Sequence, residues 1–244
     1  MSVKKYLSLS ALILILSAPL FCQTVNFFTP ENPKITTSFS IVNNFIPELC
    51  VSDLVAQNYI SADFTELFAD AGVAFQDNRF DSASRIFYMP TFQRKYRYQI
   101  GLGLNHHCLR YYDIFTENDI AVSAIFRWFK SDFFDLEIAP GYMWKISSID
   151  VLKKSSPIVN DCFHLSVLTN FHFTPDFDFY LNFTTIDFFD YPLFSSPIIK
   201  TGFCYDFGNH FAFDMSASLK FYDMIVSAVM LNQCSVKTTL KVYY

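Results

Sequence analysis

At 244 residues and a formal charge of −5, the chain has no basic stripe with which to displace phosphate counterions, and this excludes a nucleic-acid partner. Aromatic side chains make up 19 % of it, 30 of them Phe and 14 Tyr, and charged ones only 17 %; a disordered chain is more polar than this. Yet beyond Pro19 no apolar run attains the roughly 18 residues that a membrane-spanning helix needs.

The amino terminus sets the compartment. Lys4 and Lys5 precede an almost wholly apolar stretch from Tyr6 to Pro19, and polar residues return at Gln23 and Thr24. Residues 1–22 therefore read as a secretory signal, with 23–244 as a single domain. Processing after Ala18 and after Cys22 both fit, whereas bulky Phe21 disfavours lipid attachment at Cys22. Removing Cys22 leaves five of the six cysteines, none in C-x-x-C spacing, so no zinc site, redox motif or cofactor is expected.

After a proline-broken leader at 23–34, KITTSFSIVNNF alternates, with Ile35, Phe39, Ile41 and Phe45 opposing Thr36, Ser38, Ser40 and Asn44. PELCVSDLVAQNYI alternates poorly and fits an irregular strand or a short helix, so that 35–60 supplies a first strand pair or none. The period returns in TELFADAGVAFQ and continues through ASRIFYMPTF, where Pro90 donates no ladder hydrogen bond. The clearest strand is YRYQIGLGLNHHC, in which Tyr96, Tyr98, Ile100, Leu102 and Leu104 oppose Arg97, Gln99, Gly101, Gly103 and Asn105. DIAVSAIFRWF and FFDLEIAPGYMWK form a hairpin, then CFHLSVLTNFHFT and FDFYLNFTT form another about Pro175 and Asp176. DYPLFSSP connects to IIKTGFCYDF, GNH turns into FAFDMSASLKFY, and CSVKTTLKVYY ends the chain.

That last segment places Val236, Thr238, Leu240, Val242 and Tyr244 on one side and Lys237, Thr239, Lys241 and Tyr243 on the other. An amphipathic closing strand with an aromatic terminal residue resembles the assembly signal of bacterial outer-membrane β-barrel proteins. The resemblance implies an antiparallel, up-and-down, porin-like barrel of 10–12 strands, outer-membrane lipid around it, and recognition of the terminal strand by the barrel-assembly machinery. In that class the carboxy terminus is periplasmic. Counting back from it, short connections fall near 208–210, 175–176, 130–132 and 93–95, and longer external ones between them, notably 109–118, 146–161 and 223–234.

Alternation alone does not distinguish this from a soluble barrel with its apolar face inward. The strand ends do: Tyr96, Trp128, Phe207, Phe211 and Tyr244 fall at the periplasmic rim and Tyr142 and Trp144 at the outer one, as aromatic girdles. The polar face then lines a lumen with Arg97, Arg127, Glu137, Lys145, Lys200, Asp214, Lys220, Lys237 and Lys241, charges that must pair or meet water. Asp214 is the expected partner of the closing strand's lysines.

Other sites are weaker. His106 and His107 point to opposite faces, and His164 and His172 lie eight residues apart, about 26 Å along a strand. Neither pair makes a metal site. His164 beside Ser166 echoes the pair of a lipid-acting barrel enzyme, with no third group to complete it. Cys50, Cys108, Cys162 and Cys234 fall near external connections, where loop disulfides and free thiols are both open readings. The functional expectation is a non-enzymatic narrow channel passing small solutes or ions. The alternative is a structural barrel with a plugged lumen and partner-binding external loops.

Overall fold

The computed structural model describes residues 34–244 apart from 65, 77–78, 93–97, 113, 132, 150–156, 209 and 223–229. The signal reading, the leader up to Pro33, Tyr96, Arg97, the turn at 93–95 and the middles of two external connections fall outside them. Every element is a strand: β1 (Lys34–Ile46), β2 (Val51–Asp63), β3 (Leu67–Gln76), β4 (Arg79–Tyr88), β5 (Thr91–Phe92), β6 (Tyr98–Tyr111) and β7 (Phe115–Ser131). There follow β8 (Phe134–Ile149), β9 (Ile158–Thr174), β10 (Phe177–Thr184), β11 (Ile198–Phe207), β12 (Phe211–Phe221) and β13 (Leu231–Tyr243).

Each long strand pairs antiparallel with its sequence neighbour, and β1 closes on β13 from Thr36↔Tyr243 to Phe45↔Cys234. β5 is a two-residue ladder on the lower end of β6, and β4 pairs with β6 directly, which leaves twelve long strands in a closed barrel. Closure removes both sheet edges, so every ladder group can be paired without water.

The side-chain period decides which face meets lipid. Phe39, Ile41, Leu102, Leu104, Val122, Phe126 and Leu240 are exposed on the outside, whereas Ser40, Asp70, Asn105, Asp119 and Thr239 are buried inside. A soluble barrel would show the reverse. The stretch of doubtful period, 51–63, is the regular strand β2, joined to β1 by a turn at 47–50 in which Cys50 takes φ 52°. The connections differ from expectation in length more than in place. The turn at 175–176 falls where expected, β11 ends at Phe207 and β12 begins at Phe211, and β7 ends at Ser131 and β8 begins at Phe134, but 109–118 is mostly strand, with β6 running to Tyr111 and β7 starting at Phe115. Thr116, Glu117 and Asn118 continue the ladder with β6 and β8, where the polar sequence had hidden the strand.

At Gly141 a close approach demands glycine. A Cβ on Gly141 would collide with the His164 ring of β9 and the Val122 carbonyl of β7, both in fixed positions. Gly141→Ala should lower folding stability by about 1–3 kcal/mol, the usual cost of overpacking. Urea-unfolding midpoints in detergent micelles check this, with Gly208→Ala as the comparison: it has open space around it but a φ of +68°.

Candidate functional site: a lumen crossed by an inward-folded segment

The connection between β10 and β11 lies at the external end of the barrel, yet it does not project outward. Its first residue is tied to β9, since Thr185 N–H donates to Leu165 O at 3.0 Å and Leu165 N–H donates to Thr185 Oγ1 at 3.1 Å. A tight turn follows, bridged by Asp187 N–H to Asp190 O at 2.7 Å, with Phe188 N–H donating to the Asp187 carboxylate at 2.9 Å. The turn drives Phe188 and Phe189, in edge contact at 4.7 Å, across the lumen. They bury against Val42, Val55, Ala74 and Ala83, which are inward residues of β1 to β4 on the far wall. Tyr191 reaches the wall of β6 to β9, packing on Ala121, Met143 and Cys162 and stacking at 5.2 Å on His107.

Polar contacts hold the segment as well. Lys200 Nζ lies 3.3 Å from Asp187, Lys220 Nζ lies 2.6 Å from Asp190, and Lys145 Nζ donates to the Tyr191 carbonyl. The Arg85 guanidinium sits 4.6 Å above the Phe188 ring. Burial by itself would push the Asp187 carboxyl up, but the cations of Lys200 and Lys237 and the Phe188 N–H bring it well below the usual carboxylate range. A depressed pKa stabilises the folded state fully above the ordinary carboxylate value, and that contribution is lost only as pH falls through the depressed one. The Asp187 contact should therefore persist through mild acid. Amide hydrogen exchange of 185–197 should show the same protection at pH 5 and pH 7 after correction for intrinsic rate.

Around the segment the inner wall is a set of paired charges. On its outer half, Asp119, fully buried, accepts from His107 Nδ1 at 3.0 Å and from Lys145 Nζ at 3.3 Å. A carboxylate only accepts, so this contact fixes the proton on Nδ1. Glu117 takes Lys145 at 3.0 Å and Asp81 takes Arg79 at 2.9 Å. His107, Glu117 and Asp119 bring ligand atoms within 4.8 Å of one another, but the Lys145 ammonium already stands between the two carboxylates where a metal cation would. On the inner half, Arg85 grips both oxygens of Asp70, Arg127 pairs with Glu137, and His172 lies between Asp135 and Asp178. Lys241 Nζ meets Asp214 at 3.1 Å, and Tyr180 donates to the same carboxylate. Between the segment and the outer mouth remains a vestibule of about 500 Å³ lined by Lys200, Lys220, Lys237, Glu117 and Asp53 among others.

The residues singled out from sequence are thus distributed as follows. Arg127, Glu137, Lys145, Lys200, Asp214, Lys220 and Lys241 face inward in ion pairs, while Lys237 lies over the Tyr59 ring at 5.2 Å. Trp128, Trp144, Phe207, Phe211 and Tyr244 are exposed on the outer face, and Tyr142 meets Trp144 edge-on at 5.1 Å while its hydroxyl donates to Asp161. A carboxylate on the outer surface there marks the level at which lipid tails end. Cys50, Cys108, Cys162, Cys204 and Cys234 are free thiols, with Cys162 inside the lumen beneath Tyr191.

His164 and Ser166 do not meet. Ser166 faces Asn182, and His164 Nε2 lies 3.2 Å from both Val122 O and Ser123 Oγ. Because a carbonyl only accepts, Nε2 carries the hydrogen and has no lone pair with which to activate Ser123. The inward segment was not found from sequence. Its signal was present in Val42, Val55, Ala74, Ala83, Ala121 and Met143, apolar residues on strand positions that otherwise face a polar lumen.

The sequence matches no family model and no curated protein. Solved structures do match the fold. The porin KdgM, determined in complex with disordered oligogalacturonate, aligns with 85 % of this chain and 99 % of its own at a TM-score of 0.57 and 9 % identity. The porin NanC aligns with 84 % of this chain and 98 % of its own at 0.58 and 10 % identity. An outer membrane channel from Pseudomonas putida F1 aligns with 87 % and 95 % at 0.56 and 7 % identity. The chain has the fold of bacterial outer-membrane β-barrels, and its outward apolar band places it in that membrane.

Proposed function

We propose that the protein is a narrow, non-enzymatic channel for small solutes, kept closed or strongly constricted by residues 185–197. One observation carries this reading: between its backbone ties at Thr185 and Pro197, the segment that crosses the lumen takes its polar anchorage from lysine contacts it can exchange for water, Lys200 to Asp187, Lys220 to Asp190 and Lys145 to the Tyr191 carbonyl, and not from ladder hydrogen bonds along its length. A barrel meant only as a rigid surface scaffold needs no such detachable filling. Away from the apolar patches that receive Phe188, Phe189 and Tyr191, the inner wall is polar and charged, as an aqueous path requires. KdgM and NanC are porins, which agrees with the reading and leaves the solute open.

Purified protein in a planar bilayer tests it. Discrete ion steps that are small for a twelve-stranded barrel are expected from the intact chain. Silence at every voltage, from both the intact chain and one with the segment cut back, would leave the structural-barrel reading in its place.

A further inference from the structure

The wall charges are not balanced evenly. On β4 to β8 the inward acids Asp81, Glu117 and Asp119 are answered by wall cations, Arg79, Lys145 and His107. On β11 to β13, Lys241 is answered by the wall acid Asp214, but closer to the mouth the reverse situation holds among the described residues. Lys200 and Lys220 are answered only by Asp187 and Asp190 of the inward segment, and Lys237 has no carboxylate within 4.0 Å among the described residues. These three lysines line one side of the vestibule together with Ser216, Ser218 and Ser235. The register sets Ser218 beside both Lys200 and Ser235, and Ser216 beside Lys237, so ammonium groups and hydroxyls alternate across neighbouring strands. Asp214, the wall acid on this arc, is held by Lys241, and Asp53 lies across the barrel seam, one rung closer to the mouth than Lys237.

We infer that the β11 to β13 arc is a binding site for small polyanionic solutes, and that Asp187 and Asp190 occupy it as an internal competitor. A carboxylate- or phosphate-bearing solute entering the vestibule from the mouth competes with Asp190 for Lys220 and with Asp187 for Lys200, and one rung deeper it reaches Lys237. Charge-assisted hydrogen bonds are exchanged one for one, so replacing the segment's carboxylates by the solute's releases the segment without leaving a buried charge uncompensated. Cations meet a weaker route, because the vestibule acids Asp81 and Glu117 and the adjacent Asp119 are already held by wall cations, which leaves Asp53 as the wall acid open to them. The inference rests on the channel reading for its purpose, but binding and release are measurable without conduction.

Calorimetric titration of the full-length protein in nanodiscs with citrate, and with glycerol as a neutral control, provides the test, coupled to hydrogen exchange of 185–197. Citrate should bind and glycerol should not. Lys237→Gln should weaken citrate binding by about tenfold, the worth of one hydrogen bond to a charged group. The double variant Asp187→Asn, Asp190→Asn should bind citrate more tightly than the parent, since the competitor is gone; a purely structural role for these acids gives no gain. Saturating citrate should accelerate exchange in 185–197. Absence of citrate binding in both the parent and the double variant overturns the site, and binding with unchanged protection of 185–197 overturns the competition. Loss of conductance with citrate binding intact would instead count against the channel reading alone.

Discussion

Asp119→Ala is expected to cost about 3–5 kcal/mol of folding stability, because it removes one partner of a buried charge cluster and leaves the others uncompensated. Asp119 is fully buried and touches both His107 and Lys145. Those two in turn hold Tyr191, one by stacking at 5.2 Å and the other by donating to its carbonyl. The loss therefore spreads from the wall to the segment. Asp119→Asn keeps the shape and one acceptor and should recover part of the effect. Guanidinium-unfolding midpoints of the refolded barrel decide it; a midpoint for Asp119→Ala equal to the parent's would show that the cluster is solvated and not load-sharing.

Cutting the segment back, with residues 186–195 replaced by a short Gly-Ser link, is expected to raise single-channel conductance several-fold. The barrel wall should survive this, since its ladders run unbroken on both sides of the segment, from β9–β10 to β11–β12. The cost is the burial of Phe188 and Phe189 against Val42, Val55, Ala74 and Ala83, about 1.5–3 kcal/mol for each ring. Lys200 and Lys220 lose their carboxylates and face water, which a lumen open to solvent tolerates. An unchanged conductance would mean that the constriction lies elsewhere, for example where Phe68 stacks on Phe87 and Met89 packs on Ile125 toward the periplasmic end.

The same segment explains which parts of the fold were legible in the sequence. Strands such as β6 and β7 alternate cleanly because one face meets lipid and the other meets charges and small residues, and their phase could be read directly. β2 was obscure for the converse reason. Val55 and Tyr59 point inward to receive Phe188 and Phe189, while Asn58 points outward, so two kinds of surface share each face. A strand whose inner face is partly a packed core loses the contrast on which the period depends. The connection TIDFFDYPLFSSP offers bulky rings followed by prolines, a composition equally suited to a loop in solvent and to one in a lumen. Nothing local separates the two. The separation lies in residues far away in the chain, Val42, Val55, Ala74, Ala83, Ala121 and Met143, whose apolar side chains have meaning only once the barrel has closed. The ion pairs followed the same logic. Single charges could be assigned to a face by parity, but the pairing of Lys200 with Asp187 and of Lys220 with Asp190 joins strand to segment and has no sequence period.

Cys162 offers the most direct test of the account, because its thiol packs inside the lumen against Ala121, Met143 and Tyr191. In a chain that keeps Cys162 as its sole cysteine, a charged, membrane-impermeant thiol reagent should react slowly with the intact barrel in liposomes. It should react at least tenfold faster once residues 186–195 are cut back, as expected when a half-buried thiol loses the cover of Tyr191. Equal, rapid reaction in both chains would contradict the claim that the inward-folded segment constricts the lumen over Cys162.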